Sequence, residues 1–268
     1  VMFAISFSFI FFITSVSEME SANMELNLRF QYGADLVIVN QGFEAENAQT
    51  MGMVEELKTI EGVDQVSYAL HNTFDIQAAI SSVMGVTEGG AGFDEEGAES
   101  QITNLFAYYS SQWETKYQVM VGDIARHDEL DAGYIGVDEA FVDSVDKDLL
   151  IWSSPGSSTE YSFTQMLERN DTCILAKSIA NVIGVEDVGE EVSLRFVNPQ
   201  VKNDPGNITT FEVVGISGGI PGFWNFRSSE FSADGGGVMV SLETYMETMD
   251  VANAKEDEMI IDKTFIHL

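Results

Sequence analysis

Three histidines, His71, His127 and His267, a single cysteine, Cys173, and a glycine-flanked serine, Ser217, have the widest chemical reach in this 268-residue chain. Two histidine rings meet one zinc ion when a His-Glu-x-x-His spacing sets them on one helical face; these three stand far apart, and the one local cluster, His127-Asp128-Glu129, reads as a solvated turn. A serine nucleophile needs a base and the strained turn of Gly-x-Ser-x-Gly. Gly215-Ile216-Ser217-Gly218-Gly219 misses that spelling by one position and reads as a bend after a strand. No Gly-x-x-x-x-Gly-Lys-Ser/Thr phosphate loop occurs, so ATP hydrolysis is not expected of this chain. The expectation is a protein that is not an enzyme: catalytic residues none, cofactors none.

Hard-oxygen clusters are the remaining route to a bound ion. Asp94-Glu95-Glu96 and the group Asp143, Asp146 and Asp148 have the right donors, but neither has the calcium-loop spacing with its central glycine, and both read as acidic loops with no metal. The lone Cys173 excludes an intramolecular disulfide and a cysteine-rich zinc site. Its neighbours Ile174, Leu175 and Ala176 place it as a small buried hydrophobe. Two sequons, Asn170-Asp171-Thr172 and Asn207-Ile208-Thr209, would permit glycosylation on an outward-facing chain. Aromatic groups are the best candidates for touching a partner or substrate, because they supply large contact area. They are Phe223, Trp224 and Phe226 in a Gly/Pro-bounded loop, and Tyr108, Tyr109 and Trp113 in the segment 105–117.

Forty-four acidic against 12 basic residues give 12 − 44 = −32, spread along the chain. That charge repels phosphate backbones, so nucleic acid is not an expected partner. With 45% hydrophobic residues and four prolines the chain can still bury a core. A salt-rich habitat would favour such a surface.

The elements that hold these groups begin with residues 1–17, an uncharged run ending before Glu18. It is slightly short of the roughly 20 residues of a spanning helix. It begins with Val, so a fragment whose helix starts earlier is expected. A signal peptide would need a basic leading region, which is missing, and Ser15-Val16-Ser17 is only a passable cleavage site. Phenylalanine on every face suits lipid better than a half-exposed soluble helix. Arg29 is the one basic residue in the next thirty, which places the remainder of the chain outside the cytoplasm.

Residues 18–31 read as a polar continuation of that helix. Strands are expected at 34–40, 63–77, 134–138, 173–175, 191–196, 211–216, 237–241 and 258–261, and helices at 48–60, 139–145 and 176–183, the last stopped by Gly184. Gly85 to Ser100 is a glycine- and acid-rich excursion. Residues 81–170 do not repeat the grammar of the flanks and are expected to form an insertion.

The order Ala34-Asp35-Leu36-Val37-Ile38, Ile60-Glu61-Gly62-Val63, Ile174 to Ala180, Val188 to Leu194, Phe211 to Ile216 and Val238 to Leu242 resembles the extracytoplasmic core domain of MacB/FtsX-like ABC transporter permeases over nearly the whole chain. The family usually has Gly-Asp before the second strand, where Glu190 follows Gly189 here, and residues 81–170 match chiefly through Tyr134 to Asp138. The resemblance implies an α+β fold. A transmembrane helix at 1–17 would precede a porter-like βαβ lobe with a mixed sheet, built from 18–80 and 171–268, and an inserted second α+β lobe would occupy 81–170. It also implies a cell-membrane location with the main domain extracytoplasmic, a second permease copy, and a cytoplasmic ABC ATPase subunit that binds the ATP. The work would be substrate export or mechanical signalling outside the membrane. The alternative is a membrane-anchored or secreted binding protein without an ATPase partner.

Overall fold

The computed structural model describes residues 2–39, 49–72, 118–123, 128–198, 201–223, 237–249 and 261–268. The uncharged run and its polar continuation form one helix, α1 (Met2–Tyr32). Helix α2 (Met51–Leu57) lies between strands β1 (Leu36–Val39) and β2 (Gln65–His71). Then come β3 (Gln118–Asp123), β4 (Asp128–Asp131), β5 (Gly133–Val137), α3 (Phe141–Ser144), a 3-10 turn (Lys147–Leu149) and β6 (Ile151–Trp152). Helix α4 (Thr159–Glu168) leads to β7 (Thr172–Ala176), α5 (Lys177–Ile183), β8 (Glu191–Val197) and β9 (Asn207–Gly219). The chain closes with β10 (Gly237–Ser241), α6 (Leu242–Thr248) and β11 (Lys263–His267).

These strands make one mixed sheet in the order β1-β11-β2-β5-β10-β7-β9-β8-β3-β4, with β6 beside β9. The unit β1-α2-β2 is a split βαβ: β11 pairs antiparallel with both strands, which leaves β1 and β2 parallel to each other. Strands β5, β7 and β10 are buried at every position, the condition of a sheet covered on both faces. Alternation sorts their side chains between two cores. Tyr134, Cys173, Leu175, Val238 and Val240 share one with Val54 of α2, Ile179 of α5 and Tyr245 of α6. Ile135, Val137, Ile174, Ala176 and Met239 share the other with Phe141 of α3 and Phe163 and Met166 of α4. Local signals agree with the packing: Ser158 and Ser241 cap α4 and α6 by accepting from Tyr161 N and Thr244 N, and Gly184, at φ 79°, stops α5 as expected.

The described strands of 81–170 join the same sheet as those of the flanks. Strand β5 lies between β2 and β10 in the middle of the one sheet, and β3 pairs with β8. A five-residue strand with no charge, buried on both sides, fits only a central position; the changed texture before it concealed this. The strand expected at 258–261 falls almost wholly outside the described residues, and a strand not expected from sequence follows it. Residues 258–260 lie outside the described residues, Ile261 is not in a strand, and the pairing strand is β11, whose Lys263 and His267 interrupt the apolar pattern.

Candidate functional site

Helix α1 stands exposed along most of its described length, including Met19 at 65% and Met24 at 68%, and meets the rest of the molecule at its last turn. There Phe30 falls to 6% exposure. Its ring lies over Gly219, where an added Cβ would sit 3.0 Å from Phe30 Cε1. The helix ends at Gly33, in the left-handed region at φ 78°, with Gly33 N donating to Arg29 O at 2.8 Å. Only glycine serves here on two counts, because a Cβ would also lie 2.8 Å from Gly222 N.

The helix end is tied through backbone groups. Gly222 N donates to Phe30 O at 2.7 Å, and Asp146 N donates to Gly33 O at 2.9 Å. The Asp146 carboxylate also pairs with the Arg29 guanidinium. From β11, Lys263 Nζ donates to Gly222 O at 2.7 Å and stands 5.3 Å from the centre of the Phe223 ring. Just past the helix, Asp35 receives Leu268 N at 3.0 Å and lies 2.7 Å from His267 Nδ1. The end of α1 therefore contacts the exit of β9, the turn after α3, and β11.

Phe223, named from sequence as a contact residue, belongs to this junction. It is half-buried, 5.7 Å from Phe141 and 5.6 Å from Phe265 between ring centres, so one side of the ring packs against the core below α3 and β11. Trp224, Phe226, Tyr108, Tyr109 and Trp113 lie outside the described residues, as do His127 and the cluster Asp94-Glu95-Glu96. Sequence reasoning did not single out Phe30, Gly33 or Lys263, and weighed Asp146 and Gly219 only for a metal site and a serine turn. A lone Arg29 followed by Phe30 and Gly33 before a strand was the available signal.

The groups weighed for chemistry are engaged elsewhere. Ser217 is 1% exposed; its Oγ lies 2.9 Å from the carbonyls of Ile151 and Gly219 and accepts from Gly219 N. Asp143 pairs with Lys147 at 2.6 Å and Asp146 Oδ1 accepts from Asp148 N within the turn, while Asp146 also pairs with the distant Arg29 at the end of α1. Among the described residues no group of three or more His, Cys, Asp or Glu could hold a metal. Burial pushes the Cys173 thiol far up, which keeps it protonated.

Asp138 is the one described carboxyl moved strongly. Burial raises it from 3.8 to about 6, against the hydrogen bond from Ser67 Oγ at 2.5 Å, one from Tyr68 N and the attraction of Lys58. It stands at the end of β5 just before α3, and Asp146 lies in the turn beyond that helix.

No family model matches the chain, and no curated protein matches it. Solved structures similar to it include the extracellular domain of the noncanonic ABC-type transporter YknZ from Gram-positive bacteria, with TM-score 0.42 and 11% identity over 86% of this chain and 81% of that one. The periplasmic region of MacB from Actinobacillus actinomycetemcomitans is another, with TM-score 0.43 and 10% identity over 90% of this chain and 76% of that one. The first is an extracellular domain and the second a periplasmic region.

Proposed function

We propose that this chain is the extracytoplasmic domain of an ABC transporter permease, held to the membrane through residues 1–17. It would work beside a second permease copy and couple ATP hydrolysis by a cytoplasmic partner subunit to substrate export or mechanical signalling outside the cell membrane. The ordered sequence pattern of the MacB/FtsX-like type supports the family. The geometry of α1 supports the mechanism.

The carrying observation is that α1 runs unbroken from the uncharged residues to the seat at Gly219 and Gly222. At 1.5 Å per residue the helix is about 45 Å long, so a tilt or shift at its apolar end moves a rigid rod. That displacement reaches β9 through Phe30 and Gly222, β11 through Asp35, and the turn after α3 through Asp146. Among the described residues no helix is long and apolar enough to cross a membrane. Residues 1–17 would supply about 25 Å against a hydrocarbon core of about 30 Å.

In this reading the chain binds and moves without catalysing. Copurification of a cassette ATPase with the full-length membrane protein, with ATP turnover that responds to changes at the α1 seat, is the expected result. Full-length protein that washes off membranes at high pH and brings no ATPase would remove the proposal. Ester or peptide turnover abolished by Ser217→Ala would overturn its non-enzymatic part.

A further inference from the structure

The two sequons have the same spelling and opposite structural situations. In Asn170-Asp171-Thr172 the hydroxyl that completes the acceptor signal is sealed: Thr172 is 0% exposed, and its Oγ1 lies 3.1 Å from Gln165 O and 2.9 Å from Arg169 O. The surrounding loop is held as well. Asp171 accepts from Arg169 at 3.1 and 3.2 Å, and the Asn170 carbonyl accepts from Thr244 Oγ1 at 3.4 Å. A transfer enzyme that must grip the threonine hydroxyl finds nothing to grip in the folded chain.

Asn207-Ile208-Thr209 is open. Asn207 follows Pro205 and Gly206, the latter at φ 71°, and is the first residue of β9, paired on one side with Phe196 of β8. Strand β7 joins the other side of β9 only from Glu212 onward. Asn207 is exposed, Ile208 is 56% exposed and Thr209 is half-buried. Among the described residues neither the Asn207 amide nor the Thr209 hydroxyl makes a side-chain hydrogen bond.

We infer that Asn207 is an N-glycosylation site of the folded protein and that Asn170 is not. The inference rests on the extracytoplasmic placement proposed above. The co-substrate class is an oligosaccharide carried on a polyprenyl phosphate or diphosphate. Asn207 Nδ2 forms a bond to the sugar C1, the C1–O bond to phosphate breaks, the lipid phosphate leaves with the electron pair, and the amide proton passes to a base of the transferase.

Two arms separate this site from the placement it depends on. In the first, the purified folded chain is incubated with lipid-linked oligosaccharide and a transferase that reads the plain Asn-x-Thr triplet. Glycopeptide mass spectrometry should find glycan at Asn207 and none at Asn170, no glycan after Thr209→Val, glycan retained after Thr209→Ser, and modification at Asn170 once the chain is unfolded in urea. An unmodified Asn207 in the folded chain, or a folded chain modified at Asn170, overturns the assignment and leaves the placement standing. In the second arm the full-length protein is recovered from membranes of a glycosylating host. Modification at Asn207 supports both; an unmodified Asn207 there, after a positive first arm, overturns the placement and the natural modification together.

Discussion

The centre of the sheet and the seat of α1 both use packed aromatic rings, but they are specified by different parts of the chain. At the centre, side chain meets side chain. Tyr134 stacks on Tyr245 at 5.3 Å, meets Phe196 edge-on at 5.2 Å, and pairs its hydroxyl with Thr248 Oγ1 at 3.0 Å. At the seat, carbonyls of Phe30, Gly33 and Gly222 carry the contacts, and missing Cβ atoms at Gly33 and Gly222 let the chains approach. Burial of large apolar surface makes the first region expensive to disturb. The second is held by a few main-chain hydrogen bonds, an ion pair and the Phe30 and Phe223 rings, so it can open locally while the sheet stays folded.

The sharpest way to break that contrast is Tyr134→Ala. Tyr134 is 0% exposed, and loss of a fully buried ring costs about 3–5 kcal/mol, so the urea midpoint of the whole molecule should fall steeply. A small change would mean that the stacked rings are not the energetic centre of the sheet.

Asp138, between the two regions, gives the next effect. Its carboxyl is raised from 3.8 to about 6 because burial outweighs its hydrogen bonds. The folded chain then holds this proton more tightly than the unfolded chain does. The contribution is fully present below about pH 4 and is lost as pH rises through about 6. At 1.36 kcal/mol per unit the loss is at most about 3 kcal/mol. Asp138→Asn should therefore be more stable than the parent at pH 7.5 and equal to it at pH 4, the gain at pH 7.5 including the relief of one charge in a chain of net −32. Equal stabilities at both pH values would show that the carboxyl is not buried in this way.

Phe30→Ala should be milder and local. Neighbours at a chain turn relax more than a core does, so about 2 kcal/mol is expected for opening the seat. Amide hydrogen exchange should accelerate at Gly222 and Asp146 while strands β5 and β7 keep their protection. Loss of protection in those strands would make the seat part of the core and end the contrast.

Most of the sheet was legible because burial writes itself into runs such as Cys173-Ile174-Leu175 and Val238-Met239-Val240, and Gly184 marked its helix end by itself. The position of β5 was not legible, since the run shows that a strand is buried and not which strands flank it. Strand β11 was missed because Lys263 and His267 interrupt its pattern: the first serves Gly222 O, the second faces Asp35. The seat itself left almost no trace. Its bonds come from main-chain atoms that every residue has, and a ring in a Gly/Pro loop, such as Phe223, reads the same in sequence whether it packs or stands open.

The smallest expected effect tests whether charge holds the seat. Arg29 and Asp146 are 52% and 25% exposed at their side chains, and pairs that open to water contribute about 0–1 kcal/mol and weaken with salt. By contrast Arg195 grips Glu129 at 2.7 and 2.5 Å, with only 6% of the Glu129 side chain exposed. Arg29→Gln should shift exchange at the Gly222 amide by less than about 1 kcal/mol, and that difference should vanish in molar salt. Glu129→Gln should lower the global midpoint by more, because a nearly enclosed pair leaves Arg195 without its counter-charge. If Arg29→Gln instead releases α1 as fully as Phe30→Ala does, the joint is electrostatic. In that case salt, acting on a chain with 44 carboxylates and 12 cations, would loosen the helix at the same time as it relieves repulsion across the rest of the surface.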